Sequence, residues 1–142
     1  MYQRFFPNLD KEGYAITSAQ TPKYNCIAWA AGDNTRFWWP DTGNVLYWPE
    51  DLPRNDSLEV FIIMFNKFKY VVCDNAELEE NFEKIAIYVK DGVVTHAARQ
   101  LSNGKWTSKL GQEHDIEHTL SGLDGPGYGK VAQIMKRSKA KN

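Results

Sequence analysis

With 142 residues, the chain has material for one domain with a hydrophobic core and too little for two. Hydrophobic residues make up 42%, charged residues 25%, and the net charge is −1, so no global charge directs the protein to nucleic acid or to a membrane surface. No apolar run approaches the roughly 20 residues of a membrane span.

Residues 1–20 read as an irregular arm with local strand potential. Their opening, MYQRFFPNLD, lacks the apolar core and small-residue cleavage site of an export signal. Thr21 suits a helix cap and Pro22 a first helical position, where a missing N–H costs nothing. Gly32 is a natural stop for that helix. Residues 33–56, DNTRFWWPDTGNVLYWPEDLPRND, carry three Pro and three Trp with neither a helical nor a strand period. They predict a long ordered loop. Its Phe37, Trp38, Trp39, Tyr47 and Trp48 form either an internal cover over helices or a surface that stacks on sugars or bases. The prolines favour the cover.

DSLEVFIIMFNKF, residues 56–68, is the clearest helix. Asp56 and Glu59 have capping-box spacing, and Leu58, Phe61, Ile62, Phe65 and Phe68 form an apolar face. Short β signals follow at Tyr70–Cys73, Lys84–Val89, Val93–Leu101 and Lys105–Leu110. Asp91-Gly92 and Asn103-Gly104 are hairpin turns, so the last three strands should form an antiparallel meander. A short helix over about 113–121 and a strand at Lys130–Met135 complete a single domain, 1–135, of class α+β. Lys136, Arg137, Lys139 and Lys141 read as a basic, disordered tail over 136–142.

Two features carry chemistry. Cys26 falls at the start of the first helix, where the helix N-terminus favours a thiolate, and VVTHAARQL places His96 in the middle strand of the meander. Brought together, they are a nucleophile and its general base. The competing reading is a small buried cysteine and a packed histidine. Cys73 ends a strand after two valines and reads as structural. The two cysteines, without an export signal, are expected to be reduced in a cytoplasmic protein. The second feature is HDIEH, residues 114–118, which matches the inverted zinc-protease pattern H-x-x-E-H. His114 and His118 would share a helix face with Glu117 as base, but the only downstream acid left to complete the ligands is Asp124. The plainer reading is a solvated helix face with Ile116 and Leu120 turned to the core.

The orientation of His96 depends on register. A two-residue Asn-Gly turn pairs Leu101 with Trp106 and Gln100 with Thr107, which puts Thr107 and Lys109 on the His96 face. One bulge reverses this and brings Ser108 to that face. Asp115 is a further candidate if its helix folds back. Ser108 is the first choice among them.

A cysteine at the start of an early helix and a histidine on a following antiparallel sheet resemble the layout of papain-like cysteine hydrolases, a superfamily that includes bacterial cell-wall endopeptidases and amidases. WTSKLG, continuing through IEHTLSGLDGPGYG, is similar to a segment of little-characterised bacterial members, in which a histidine strand precedes a Ser-Lys-x-Gly strand and a Pro/Tyr/Gly turn. NCIAWA departs from the papain GxCW pattern. The resemblance implies cleavage of a peptide, amide or related acyl bond through a thioester, with no cofactor. Cys26 would be the nucleophile and His96 the base and then the acid. Gln20, six residues before Cys26, would steady the oxyanion together with the Cys26 N–H. Two other classes stay open: a non-catalytic binding module with the aromatic loop as its surface, and the zinc hydrolase.

Overall fold

The computed structural model describes residues 6–17, 24–33, 35–41, 43, 45–109 and 115–139. In chain order the elements are α1 (Pro7–Glu12), β1 (Tyr14–Ile16), α2 (Cys26–Ala31), α3 (Leu58–Lys67), β2 (Val71–Cys73), β3 (Phe82–Lys90), β4 (Val93–Gln100), β5 (Trp106–Lys109), β6 (Asp115–His118), a 3-10 turn at Ser121–Leu123, and β7 (Lys130–Ser138). The strands form one seven-stranded sheet in the order β1-β6-β5-β4-β3-β7-β2, and every neighbouring pair is antiparallel. The class is α+β.

Alternation along the strands gives the sheet two faces. Ile85, Ile87, Val94, Ala97 and Met135 pack under α2 and α3, while Ala86, Tyr88, Ala98, Trp106, Ile116 and Ile134 pack with Phe6, Leu9 and Leu123 on the other side. The aromatic loop is a cover: Trp48 and Trp39 lie 5.1 and 5.5 Å from the Phe61 ring, and Trp38 lies 5.2 Å from Phe68. No helix among the described residues is long and apolar enough to cross a membrane.

Asp91 and Gly92 both take left-handed φ, 53° and 83°, the signature of the tight turn that joins β3 to β4. The next hairpin is one residue longer than a two-residue Asn-Gly turn. Arg99 faces Thr107 and Gln100 faces Trp106, and the loop closes through Leu101 N–H to the Lys105 carbonyl at 2.7 Å. Ser108 therefore turns to the His96 face and Lys109 to the other.

Several local expectations need correction. Residues 115–118 are strand, not helix, because β6 is paired on both sides, by β1 and by β5; tertiary pairing overrides the local signal. The arm contains α1 as well as β1. Thr21 and Pro22 lie outside the described residues, and α2 starts at Cys26 with Asn25 as its cap. Ser57, rather than Asp56, caps α3, whose buried side is Val60, Phe61, Met64 and Phe65. β7 runs on to Ser138, so Lys136 and Arg137 are strand residues paired with Glu79 and Glu83, not part of a disordered tail.

Asn25 explains why the helix begins where it does. Its Oδ1 accepts from the Ala28 N–H at 3.2 Å and the Trp38 N–H at 3.0 Å, while its Nδ2 donates to the Trp38 carbonyl at 2.8 Å. One buried amide thus caps α2 and anchors the aromatic loop. Asn25→Ala is expected to destabilise the fold by about 2 kcal/mol, read from urea denaturation, since it removes a cap and strands buried backbone groups. A loss below about 0.5 kcal/mol contradicts that role.

Candidate active site

Cys26 is the first residue of α2, and its side chain is 7% exposed, in the cluster with Ile27, Ala28, Ile87 and Ala97. Burial pushes the thiol up to about 11. The backbone N–H groups of Ala97, Ile27 and Cys26 itself, with the Lys109 ammonium, pull the other way and are outweighed. At neutral pH the thiol keeps its proton.

His96 follows one residue before Ala97 on β4 and points to the opposite face. There its ring stacks on Tyr128 at 4.0 Å with 6° between planes, and Tyr88 meets it edge-on at 5.5 Å. The side chain is fully buried, which holds the imidazole well below its ordinary pKa, with the neighbouring His118 adding to the effect.

Hydrogen-bond logic fixes the protons in this network. His118 Nδ1 lies 2.7 Å from the Thr119 carbonyl, which can only accept, so Nδ1 carries the hydrogen. Burial lowers the His118 pKa to about 4, so the ring is neutral and its Nε2 is an acceptor. Ser108 Oγ, 2.6 Å away, donates to that Nε2. Having spent its hydrogen, Ser108 Oγ accepts from His96 Nε2–H at 2.9 Å. His96 Nδ1 is left as a bare lone pair, buried and without a partner among the described residues.

The structure joins His96 to Ser108 but forms no hydrogen bond from Cys26 to either. The sulfur meets β4 at the Ala97 amide, while the imidazole leaves the other side of the same strand. Among the described residues, β4 and β5 pair at Arg99–Thr107 and Gln100–Trp106. Asp115 belongs to the α2 side of the sheet, where it accepts from the Tyr24 hydroxyl at 2.6 Å. Thr107 and Lys109 are on that side too, and Lys109 Nζ lies 5.6 Å from the Tyr24 ring. Gln20 and His114 lie outside the described residues.

The zinc arrangement loses its helix, and no group of three or more His, Cys, Asp or Glu among the described residues is disposed to hold a metal. His118, read from the sequence as a possible ligand, is instead the anchor of the Ser108 network. Tyr128, to which the sequence reading gives no role, is the tyrosine of the GPGYG turn, which folds back onto β3 and β4.

No curated protein and no solved structure matches the chain. A family model described as "Domain of unknown function (DUF7689)" matches residues 15–136, a span that holds Cys26, His96, Ser108, His118 and Tyr128. The chain belongs to that family.

Proposed function

We propose that the protein is a papain-like cysteine hydrolase that cleaves a peptide, amide or related acyl bond, with Cys26 as nucleophile and His96 as base. The observation that carries this reading is the bare His96 Nδ1. An imidazole tied through Nε2–H to a third residue, with its other lone pair free, is the arrangement a general base needs. In the step proposed, the Cys26 proton passes to His96 Nδ1 as the sulfur attacks the carbonyl carbon. The tetrahedral oxyanion collapses to a thioester, and the departing nitrogen takes the proton from Nδ1. Water, deprotonated by the same nitrogen, then releases the acid and restores the thiol. The Cys26 N–H and Gln20 are the proposed oxyanion donors.

Both partners rest neutral, so in this scheme the proton moves during attack rather than before it, and the sulfur has to pass the edge of β4 to reach the ring on its far face. The sealed thiol favours a second reading, a non-catalytic module of the same fold, and one experiment divides the two. p-Nitrophenyl acetate is expected to give a burst of p-nitrophenolate and an acetyl adduct on Cys26, located by mass spectrometry. Cys73, half-buried and with no imidazole bonded to it, is the internal control. His96→Ala is expected to slow Cys26 acylation on the order of 10²-fold or more. Acylation of Cys26 no faster than Cys73, or unchanged in His96→Ala, removes the hydrolase and leaves the module.

A further inference from the structure

We infer that His118 is a positioning residue: it sets the direction of the Ser108 hydroxyl and thereby the tautomer of His96. The inference rests on the reading of His96 as the base. Ser108 Oγ lies between two imidazole nitrogens, 2.6 Å from His118 Nε2 and 2.9 Å from His96 Nε2, and it has a single hydrogen to give. Whichever ring receives it becomes the acceptor, and the other must donate. Among the described residues His96 has no neighbour that settles the matter, since its Nδ1 is unpartnered there, Tyr128 stacks on its face and Tyr88 meets it edge-on. His118 does have one. The Thr119 main-chain carbonyl 2.7 Å from Nδ1 compels that nitrogen to donate, and no side-chain substitution alters a carbonyl. Polarity therefore runs from the Thr119 carbonyl through His118 and Ser108 to His96, and it ends by leaving the Nδ1 lone pair bare.

Without His118, His96 Nε2 is the one acceptor left to the hydroxyl among the described residues. The ring then holds its hydrogen on Nδ1, the nitrogen the reaction needs unprotonated. The wrong tautomer disables a base even when its position is unchanged. His118 touches neither substrate nor sulfur in this scheme and acts only through Ser108.

The test is histidine 15N NMR of the whole labelled chain at pH 7. In the wild type the two rings should carry opposite tautomers, His96 protonated on Nε2 and His118 on Nδ1. His118→Phe keeps a ring of similar shape and removes both nitrogens; it should move the His96 hydrogen to Nδ1 and lower Cys26 acylation by p-nitrophenyl acetate on the order of 10²-fold or more. His118→Gln, whose side-chain carbonyl can accept from Ser108, should keep His96 protonated on Nε2 and retain more acylation than His118→Phe. Identical tautomers in the wild type, or an unmoved His96 tautomer in His118→Phe, overturn the inference. If His118→Phe does not fold, the wild-type tautomers and His118→Gln decide. Opposite tautomers that respond to His118 in a chain whose Cys26 is never acylated would remove the hydrolase and leave this network standing. Acylation with a His96 tautomer indifferent to His118 would do the reverse.

Discussion

Acidification is expected to remove about 2 kcal/mol of stability by pH 5 and about 3 kcal/mol by pH 4 through His118 alone, taking its folded pKa as about 4 against 6.5 unfolded. The folded imidazole holds its proton less well than the unfolded one. Below the unfolded value the unfolded state therefore binds the extra proton, and stability falls as pH drops toward the folded value. His96, buried among aromatics and held well below its ordinary pKa, adds a loss of the same sign in the same window. Asp33 enters later: its carboxylate, lowered to about 2 by bonds from Thr35, Trp38 and Arg36 despite its burial, weakens the fold only as pH drops from near 4. Asp124, raised by burial, acts in the opposite direction. Urea midpoints measured between pH 7 and pH 4 should fall steeply from about pH 6.5. His118→Gln should flatten the upper part of that curve. A wild-type midpoint unchanged between pH 7 and pH 5 would contradict the neutral pair bridged by Ser108.

Gly129→Ala is expected to cost at least about 4 kcal/mol or to prevent folding. Gly129 has φ +81°, and a Cβ there would sit 2.1 Å from the Val89 carbonyl oxygen and 2.8 Å from Lys90 Cβ. The first obstacle is the backbone of β3, which cannot swing aside as a side chain does. Gly129 also exchanges both backbone bonds with Gly125, at 2.9 and 3.0 Å, closing the turn that carries Tyr128. Tyr128 stacks on His96, and its carbonyl accepts from Thr95 Oγ1 at 2.5 Å, so displacing this turn uncovers the imidazole. Gly92→Ala is the matched control. It has a similar φ of +83° in the β3–β4 turn with nothing within 4 Å of the added carbon, and should cost about 1 kcal/mol. Thermal or urea denaturation of both variants reads the difference. A Gly129→Ala protein within about 1 kcal/mol of wild type would mean that β3 and the turn are not packed this closely.

The sequence was most informative where local chemistry and final geometry agree. Asp91-Gly92 forms its tight turn because both residues tolerate left-handed φ, and Gly32 ends α2 in the left-handed cap at φ 93°. Cover by the aromatic loop was legible from its prolines and tryptophans. Other features depended on a distant partner or on a single residue of slippage. HDIEH carries polar spacing that suits a helix, and only pairing to β1 and β5 makes its last four residues a strand. The facing of Ser108 turned on one extra residue in the 101–105 loop, which no propensity decides. Cys26 and His96 stood out by residue type and order. That the sulfur would meet β4 at the Ala97 amide, with the ring on the strand's far side, could not be read from spacing.

The placement of β1 governs the order in which the molecule can assemble. Its partner is β6, with Tyr14 opposite His118, whereas β3 and β4 are joined by a two-residue turn. Closing a loop of about a hundred residues costs roughly 3 kcal/mol more chain entropy than closing one of two. The central hairpin can therefore form early, and β1, made well before β6, must wait for its partner. Until that clasp closes, the strand bearing His118 lacks one flank. The proton order that ends at His96 is thus a property of the assembled sheet, gained only after residues 115–119 have been made and docked.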